Sequence, residues 1–505
     1  MDQHPTGDHA DTPPPPPTPS GVPSDPRTGA PTGDHDRPER RPDPGTPNSR
    51  RITFWLALVL FLLVAWMQNH EAIFGSPEPA EAVEFSAPGP GDALVTGARA
   101  TIGLRELFSR WGLEPGFADA MLIPKIDQDA PEQDQLRLLI LKAELEGISA
   151  ADQDLARLRR SLDADDEAQA DLLADIETID LIWGEGVTRV HPDDLERLNE
   201  RHAWFASLAM VIGEPDEAAA RAELLKDARS FATRLLSAGA AMVGLAGLGL
   251  LCFLIALYMF AKGKLAPRFV PPAPGGSVYL EMLPLFLAGF MAIGVVVFLI
   301  SAIGVQVPVV GGAVLQWSLL LVVLWPVFRG VPWARVRHDL GLIAPRGVTR
   351  EILCGVFGYL AGIPLLLAGM ALSLLIMNLW NAVVGEPPNV HNPIADRIAQ
   401  AGFLELLLLF SLATLWAPIV EELVFRGGMY RHLRARFRVV FSAIVVGLVF
   451  TLVHAYGPTA VPVLTALAVT FALLREWRNS IIASMTAHFI HNSLVLTAMY
   501  FVLFS

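Results

Sequence analysis

Three short stretches in the last hundred residues set acids, imidazoles and an amide inside otherwise apolar sequence. Trp416-Ala-Pro-Ile-Val-Glu421-Glu422-Leu-Val-Phe-Arg426-Gly-Gly carries two adjacent carboxylates and one arginine. On a helix Glu422 and Arg426 are i,i+4 neighbours that can pair, while Glu421 is turned about 100° away and can face a different partner. Phe450-Thr-Leu-Val-His454 ends an apolar run with a histidine. His488-Phe-Ile-His491-Asn492 puts His488 and Asn492 on one helical face, with His491 close to it, so spacing alone does not choose between the two imidazoles. Ionisable groups inside apolar spans are costly and by default mark a functional site. These residue types suit acid–base chemistry: a carboxylate in a low-dielectric cavity as general base, and imidazole and carboxamide N–H groups as donors to a developing negative charge. Glu421, His454 and His488 also match a catalytic zinc set of three ligands and one open position, so a divalent metal stays open.

Each stretch has a plainer reading. Glu421, Glu422 and Arg426 could clasp two helices, His454 could bond a backbone carbonyl, and His488 and Asn492 could be polar glue between helices. Two carboxylates against a single arginine leave one charge over, which weighs against the clasp. His391 and His432 are read as loop residues without a role, and His491 as packing or as a support behind the site.

The elements that must position these groups are membrane helices. Apolar stretches run roughly over 236–261, 279–304, 308–328, 352–380, 402–426, 439–456, 460–474 and 481–504, after a shorter one at 52–67. Basic clusters flank them at Lys262-Lys264-Arg268, Arg329 to Arg350, Arg431 to Arg438 and Arg475-Arg478. With the first run counted, these are every second loop. The positive-inside rule then gives nine spans, N-terminus inside and C-terminus outside. Glu421 and His488 each stand ten residues from a flanking arginine, about 15 Å at helical rise, and His454 sixteen residues, about 24 Å. All three fall near or somewhat beyond the midplane of a hydrocarbon core about 30 Å thick. A single helix from Phe403 to Arg431 would be about 42 Å long, and Pro418 and Gly427-Gly428 are where it should break.

Glu-Glu-x-x-x-Arg, Phe-x-x-x-His and His-x-x-x-Asn, in that order on successive membrane segments, resemble the CAAX protease and bacteriocin-processing (CPBP, or Abi) family, which includes the prenyl-protein endopeptidase Rce1. Each motif alone is weak; three in order inside spans are specific. The resemblance covers about residues 350–505 and implies intramembrane peptide hydrolysis. It implies that Glu421 activates water with His454 assisting, that His488 and Asn492 stabilise the oxyanion, and that Glu422 and Arg426 complete the first motif. The family has been read both as metalloprotease and as metal-independent glutamate protease, so zinc stays undecided. A membrane-bound protein or a peptide would be the substrate, prenylated or not.

Composition agrees with an all-α polytopic bundle of about eight helices plus an N-terminal anchor. The 505 residues are 52% hydrophobic and only 18% charged, below the roughly 25% of soluble domains. Cys252 and Cys354 are too few for a disulfide framework or a Cys-rich zinc module. No basic patch suggests nucleic acid. Residues 1–50 hold 14 of the 39 prolines and almost nothing apolar, which reads as a disordered cytoplasmic tail. Residues 51–67 read as an uncleaved signal anchor. Residues 68–232 carry 34 acidic and 15 basic side chains, net −19, which leaves the rest of the chain at +6. Leu136-Leu139-Ile140-Ala143, Leu155-Leu158-Leu162 and Leu172-Leu173-Ile176-Ile179 recur at helical spacing there, with breaks at Gly147 and His191-Pro192. This acidic helical insert is expected outside the cytoplasm of an inner-membrane protein, as a spacer or a docking surface for a protein partner, with the membrane domain following over 236–505. The motif Gly89-Pro90-Gly91-Asp92 is read as chance. Two rivals remain: a non-enzymatic immunity or scaffold protein on the same fold, and a proton-coupled transporter, against which the missing internal repeat counts.

Overall fold

Thr46 and Ser49 cap each other at the start of the first helix, Thr46 N to Ser49 Oγ at 3.0 Å and Ser49 N to Thr46 Oγ1 at 3.1 Å. Pro47 takes the first helical position, where its missing N–H is not needed. The computed structural model describes residues 40–74, 93–112, 130–305, 308–384, 401–454 and 456–503. Among these no strand forms, and the chain is a polytopic all-α bundle. Gly89 to Asp92, His391 and residues 1–39 lie outside the described residues.

Helix α1 spans Pro47–Phe74. The insert contributes α2 (Ala93–Arg110), α3 (Glu132–Glu146), α4 (Ile148–Ser161), α5 (Glu167–Glu185), α6 (Pro192–His202) and α7 (Trp204–Val211). Gly147, at φ 96°, separates α3 from α4, and His191 and Pro192 begin α6 as N-cap and first residue. Leu136, Leu139, Ile140, Leu155, Leu158, Leu172, Ile176 and Ile179 all turn into one core. Within it Asp175, fully buried, is met by Arg201 Nη1 at 3.1 Å and His202 Nε2 at 3.1 Å. Helix α8 then runs unbroken over Ala219–Ala261, 43 residues, about 65 Å at helical rise. Its first turns close the insert core through Leu224, Leu225 and Ala228, and its later, apolar part faces outward on one side and packs on α12 through Gly249 on the other. The insert and the membrane part are therefore joined by one helix with no break at 232–236.

The membrane part continues with α9 (Met282–Ala302), α10 (Val309–Phe328, tightened to 3-10 over Leu319–Leu324), α11 (Trp333–Leu340), α12 (Val348–Val384), α13 (Phe403–Arg434), α14 (Val439–Leu452), α15 (Val461–Arg478) and α16 (Ile482–Leu503). Helices α1, α8, α9, α10, α12, α13 and α15 are long and apolar enough to cross a membrane. Helix α14 has 14 residues and stops four short of the expected 456. Helix α12 presents small residues to α15 and α16. A Cβ at Gly358 would lie 2.2 Å from the Leu474 side chain, one at Gly362 2.5 Å from Thr470, and one at Gly355 2.5 Å from the Ala483 carbonyl. Small residues let membrane helices approach backbone to backbone.

Three expectations need correction. The tail does not remain free up to residue 50. Asp43 is buried and bonds Arg431 through Nη2 at 2.8 Å and Nε at 3.1 Å, Gly276 N bonds the Asp43 carbonyl, and α1 begins at Pro47. Helix α13 does not break at Pro418 or Gly427-Gly428. It stays continuous by widening into π turns over Leu412–Trp416 and Glu422–Met429. His432 lies in the last helical turn of α13, not in a loop.

The segments carrying the basic clusters meet at one end of the bundle. Tyr279 Oη donates to Asp339 Oδ2 at 2.7 Å, Arg475 Nη2 to the Asp339 carbonyl at 3.1 Å, and Arg431 Nη2 lies 3.2 Å from Asp339 Oδ1. Arg478 forks onto Glu351 at 2.6 and 2.8 Å. Such bidentate charge-assisted pairs fix geometry as well as energy.

Candidate active site

The first motif lies where α13 is irregular. Pro418 cannot donate to the turn before it, and the helix answers with the π turn at Leu412–Trp416. The second π stretch, Glu422–Met429, holds Glu422 and Arg426. π turns inside α-helices are rare and recur at functional sites. Both carboxylates point inward. Glu421 is 7% exposed, and Glu422 and Arg426 are fully buried. Arg426 Nη1 donates to Glu422 Oε1 at 2.8 Å and Nη2 to the Ala468 carbonyl at 3.1 Å. The guanidinium lies between two rings, 4.7 Å from Phe450 and 5.1 Å from Phe471, a cation–π placement that suits a desolvated arginine.

His454 is aimed by the way α14 ends. Its backbone N–H bonds Thr451 O in a tightened turn, which releases the Phe450 carbonyl. The imidazole of His454 takes that carbonyl through Nδ1 at 2.6 Å. Asn69 of α1 caps the same helix end, Nδ2 to Leu452 O at 3.0 Å. His454 Nε2 then lies 3.9 Å from Glu421 Oε1.

His488 reaches the carboxylates from α16. Its Nδ1 is 3.2 Å from Glu422 Oε1, and its Nε2 is 3.9 Å from Glu421 Oε2. Phe471 stacks on the imidazole at 4.9 Å. His491 turns the other way, to Tyr359 Oη at 3.4 Å. The structure thus separates two histidines that spacing left equivalent. Asn492 donates through Nδ2 to the Ala413 carbonyl at 2.7 Å. The site gathers Glu421, Glu422, Arg426, His454 and His488 around one point, with Asn492 engaged on the helix beside it.

Glu421 Oε2 has no hydrogen-bond partner although it is buried. Glu422 Oε2 and Arg426 Nε beside it are likewise without a partner, and buried polar atoms are almost always paired, so the cluster as a whole has unused hydrogen-bonding capacity. The donor set does not fit a metal ion as it stands. Ligands of one tetrahedral zinc lie about 3.4 Å apart, whereas both imidazole nitrogens are 3.9 Å from the carboxylate. Among the described residues no three His, Cys, Asp or Glu side chains form a group that could hold one.

Residues 403–494 match the family model described as type II CAAX prenyl endopeptidase Rce1-like. This stretch is similar to an Rce1-like domain. The match begins at α13 and ends just past Asn492, narrower than the 350–505 expected, and it contains all six candidate residues. The likeness is to a family of CAAX-type intramembrane proteases and is confined to this stretch, while seven helices of the chain are long and apolar enough to cross a membrane. No curated protein and no solved structure matches the chain.

Two site features escaped the sequence reading. Phe471 has no motif to mark it, and Phe450 is named only as a motif letter, yet the two rings enclose Arg426 and His488. Asn69 fell outside the expected anchor, although a carboxamide at the end of an apolar run was the available signal.

Proposed function

We propose that this protein hydrolyses a peptide bond of a membrane-associated protein or peptide at the point enclosed by Glu421, His454 and His488. The supporting observation is that both imidazoles commit Nδ1 to acceptors, the Phe450 carbonyl and Glu422, and direct Nε2 at Glu421. A neutral His454 bonded this way offers a lone pair at Nε2. With the Glu421 carboxylate it forms a pair of acceptors that suits a water molecule between them. Glu421 removes the proton as that water attacks the scissile carbonyl and delivers it to the amide nitrogen as the C–N bond breaks, while His454 keeps the water in line.

His488 serves the other side of the reaction. With Nδ1–H donated to the Glu422 carboxylate, the protonated ring presents Nε2–H to the developing oxyanion. The charges then balance, with Glu421 and Glu422 against Arg426 and His488, and the charge that one arginine left over is accounted for. Glu422 acts as the carboxylate that orients and stabilises an imidazolium, as in serine-protease triads.

By the positive-inside rule we read the basic-cluster end of the bundle as the cytoplasmic side of the inner membrane. The acidic insert then stands on the opposite side, and its net −19 over 68–232 suits a basic protein partner. Comparative proteomics of membrane fractions from cells carrying the wild type and Glu421→Gln tests the activity. A precursor that accumulates uncleaved only in the variant identifies the substrate. Identical proteomes with equal expression refute hydrolysis and favour a scaffold.

A further inference from the structure

Asn492 stands one helical turn beyond His488, where a second oxyanion donor is expected, but its amide is bound to the catalytic helix instead. Nδ2 donates to the Ala413 carbonyl at 2.7 Å. That carbonyl has lost both of its backbone donors. In an α-helix it would accept from residue 417, but in the π turn Ala417 N–H goes to the Leu412 carbonyl. The next N–H within reach of the wider turn belongs to position 418, which is proline and has none. Inside a membrane there is no bulk water to take its place.

We infer that Asn492 is a positioning residue: its amide replaces the N–H that Pro418 removes and locks the π turn that aims Glu421 into the site. Pro418 lies three residues before Glu421, so any relaxation of the turn re-aims the carboxylate directly. A π turn adds one residue to the helical path and shifts every later side chain around the axis relative to an unbroken α-helix. The oxyanion then belongs to His488 Nε2. This inference rests on the reading of Glu421 as the base.

A double-mutant cycle on the full chain in lipid vesicles tests it, with Asn492→Ala, Pro418→Ala and the double variant assayed on a cleavable membrane peptide. Asn492→Ala is expected to lose about 10- to 100-fold in kcat with KM nearly unchanged, the range of residues that orient a catalytic group. The double variant is expected to regain at least about tenfold over Asn492→Ala, because replacing the proline restores the missing backbone N–H. An oxyanion donor would not be rescued by an N–H on the far side of the helix, so a double variant no better than Asn492→Ala overturns the proposal. If Asn492→Ala alone fails to yield monodisperse protein, recovery of folded protein on adding Pro418→Ala supports it, and no recovery overturns it. Thermal midpoints of the four proteins give the same cycle without activity: coupling there supports the clamp, and strict additivity overturns it. Glu421→Gln retaining full hydrolysis would refute the catalytic reading separately, with the thermal cycle still deciding the clamp.

Discussion

Glu422 and His488, 66 residues apart and on different helices, meet at 3.2 Å between Oε1 and Nδ1. That contact decides which imidazole nitrogen faces Glu421. Replacing Glu422 by Gln keeps the shape but allows the amide to present the wrong group to Nδ1. We expect kcat to fall about 10- to 100-fold with little change in KM. Steady-state kinetics in vesicles measure it; an unchanged kcat would detach Glu422 from the reaction.

Among the described residues Arg426 is the only cation bonded to Glu422 apart from His488, and it is fully buried between Phe450 and Phe471. Removing one member of a buried pair leaves the other uncompensated, which costs about 3–5 kcal/mol. Arg426→Ala is expected to lower the thermal midpoint strongly. Arg426→Lys should restore only part, because ammonium lacks the fork that reaches both Glu422 and the Ala468 carbonyl. Thermal unfolding in detergent ranks the three.

The helical character of the chain was readable, and the six candidate residues could be named, from local pattern: apolar runs long enough to span, basic loops, and charges where lipid is costly to them. The path of α13 was not readable in the same way. Pro418 signals a fault in the helix, but whether the chain breaks or widens depends on a donor from α16, 74 residues later. The role of Asp43 was hidden for a similar reason. A proline-rich tail looks solvated until Arg431 offers its carboxylate a partner, and that pairing is non-local. The choice between His488 and His491 also needed tertiary neighbours, Glu422 for one and Tyr359 for the other.

Asp43 gives a pH-dependent test away from the membrane spans. Burial lifts its carboxyl above the ordinary value, outweighing the attraction of Arg431. A carboxyl raised by folding binds its proton more tightly in the native state than in the unfolded chain. Its contribution to stability is therefore full below the ordinary carboxylate range and is lost as pH rises through the raised value. The stability of the wild type relative to Asp43→Asn should thus improve as pH falls from about 7 to about 4. Thermal midpoints across that range check the slope, and a difference that shrinks on acidification would contradict it.

Gly358 and Gly362 allow α12 to lie against Leu474 and Thr470 of α15. Gly358→Leu or Gly362→Leu must push α15 outward, at about 1–3 kcal/mol for an overpacked contact. Because α15 also carries Phe471, which stacks on His488, activity should fall along with the thermal midpoint. An active, fully stable leucine variant would show that the two helices have slack.

The 43-residue helix from Ala219 to Ala261 has its head in the acidic insert and its shaft against α12 and α16. A rod without a joint cannot absorb a tilt at one end. A load applied to the insert is delivered whole to the two helices that brace the phenylalanine cage and carry His488, so the insert is a mechanical handle on the candidate site.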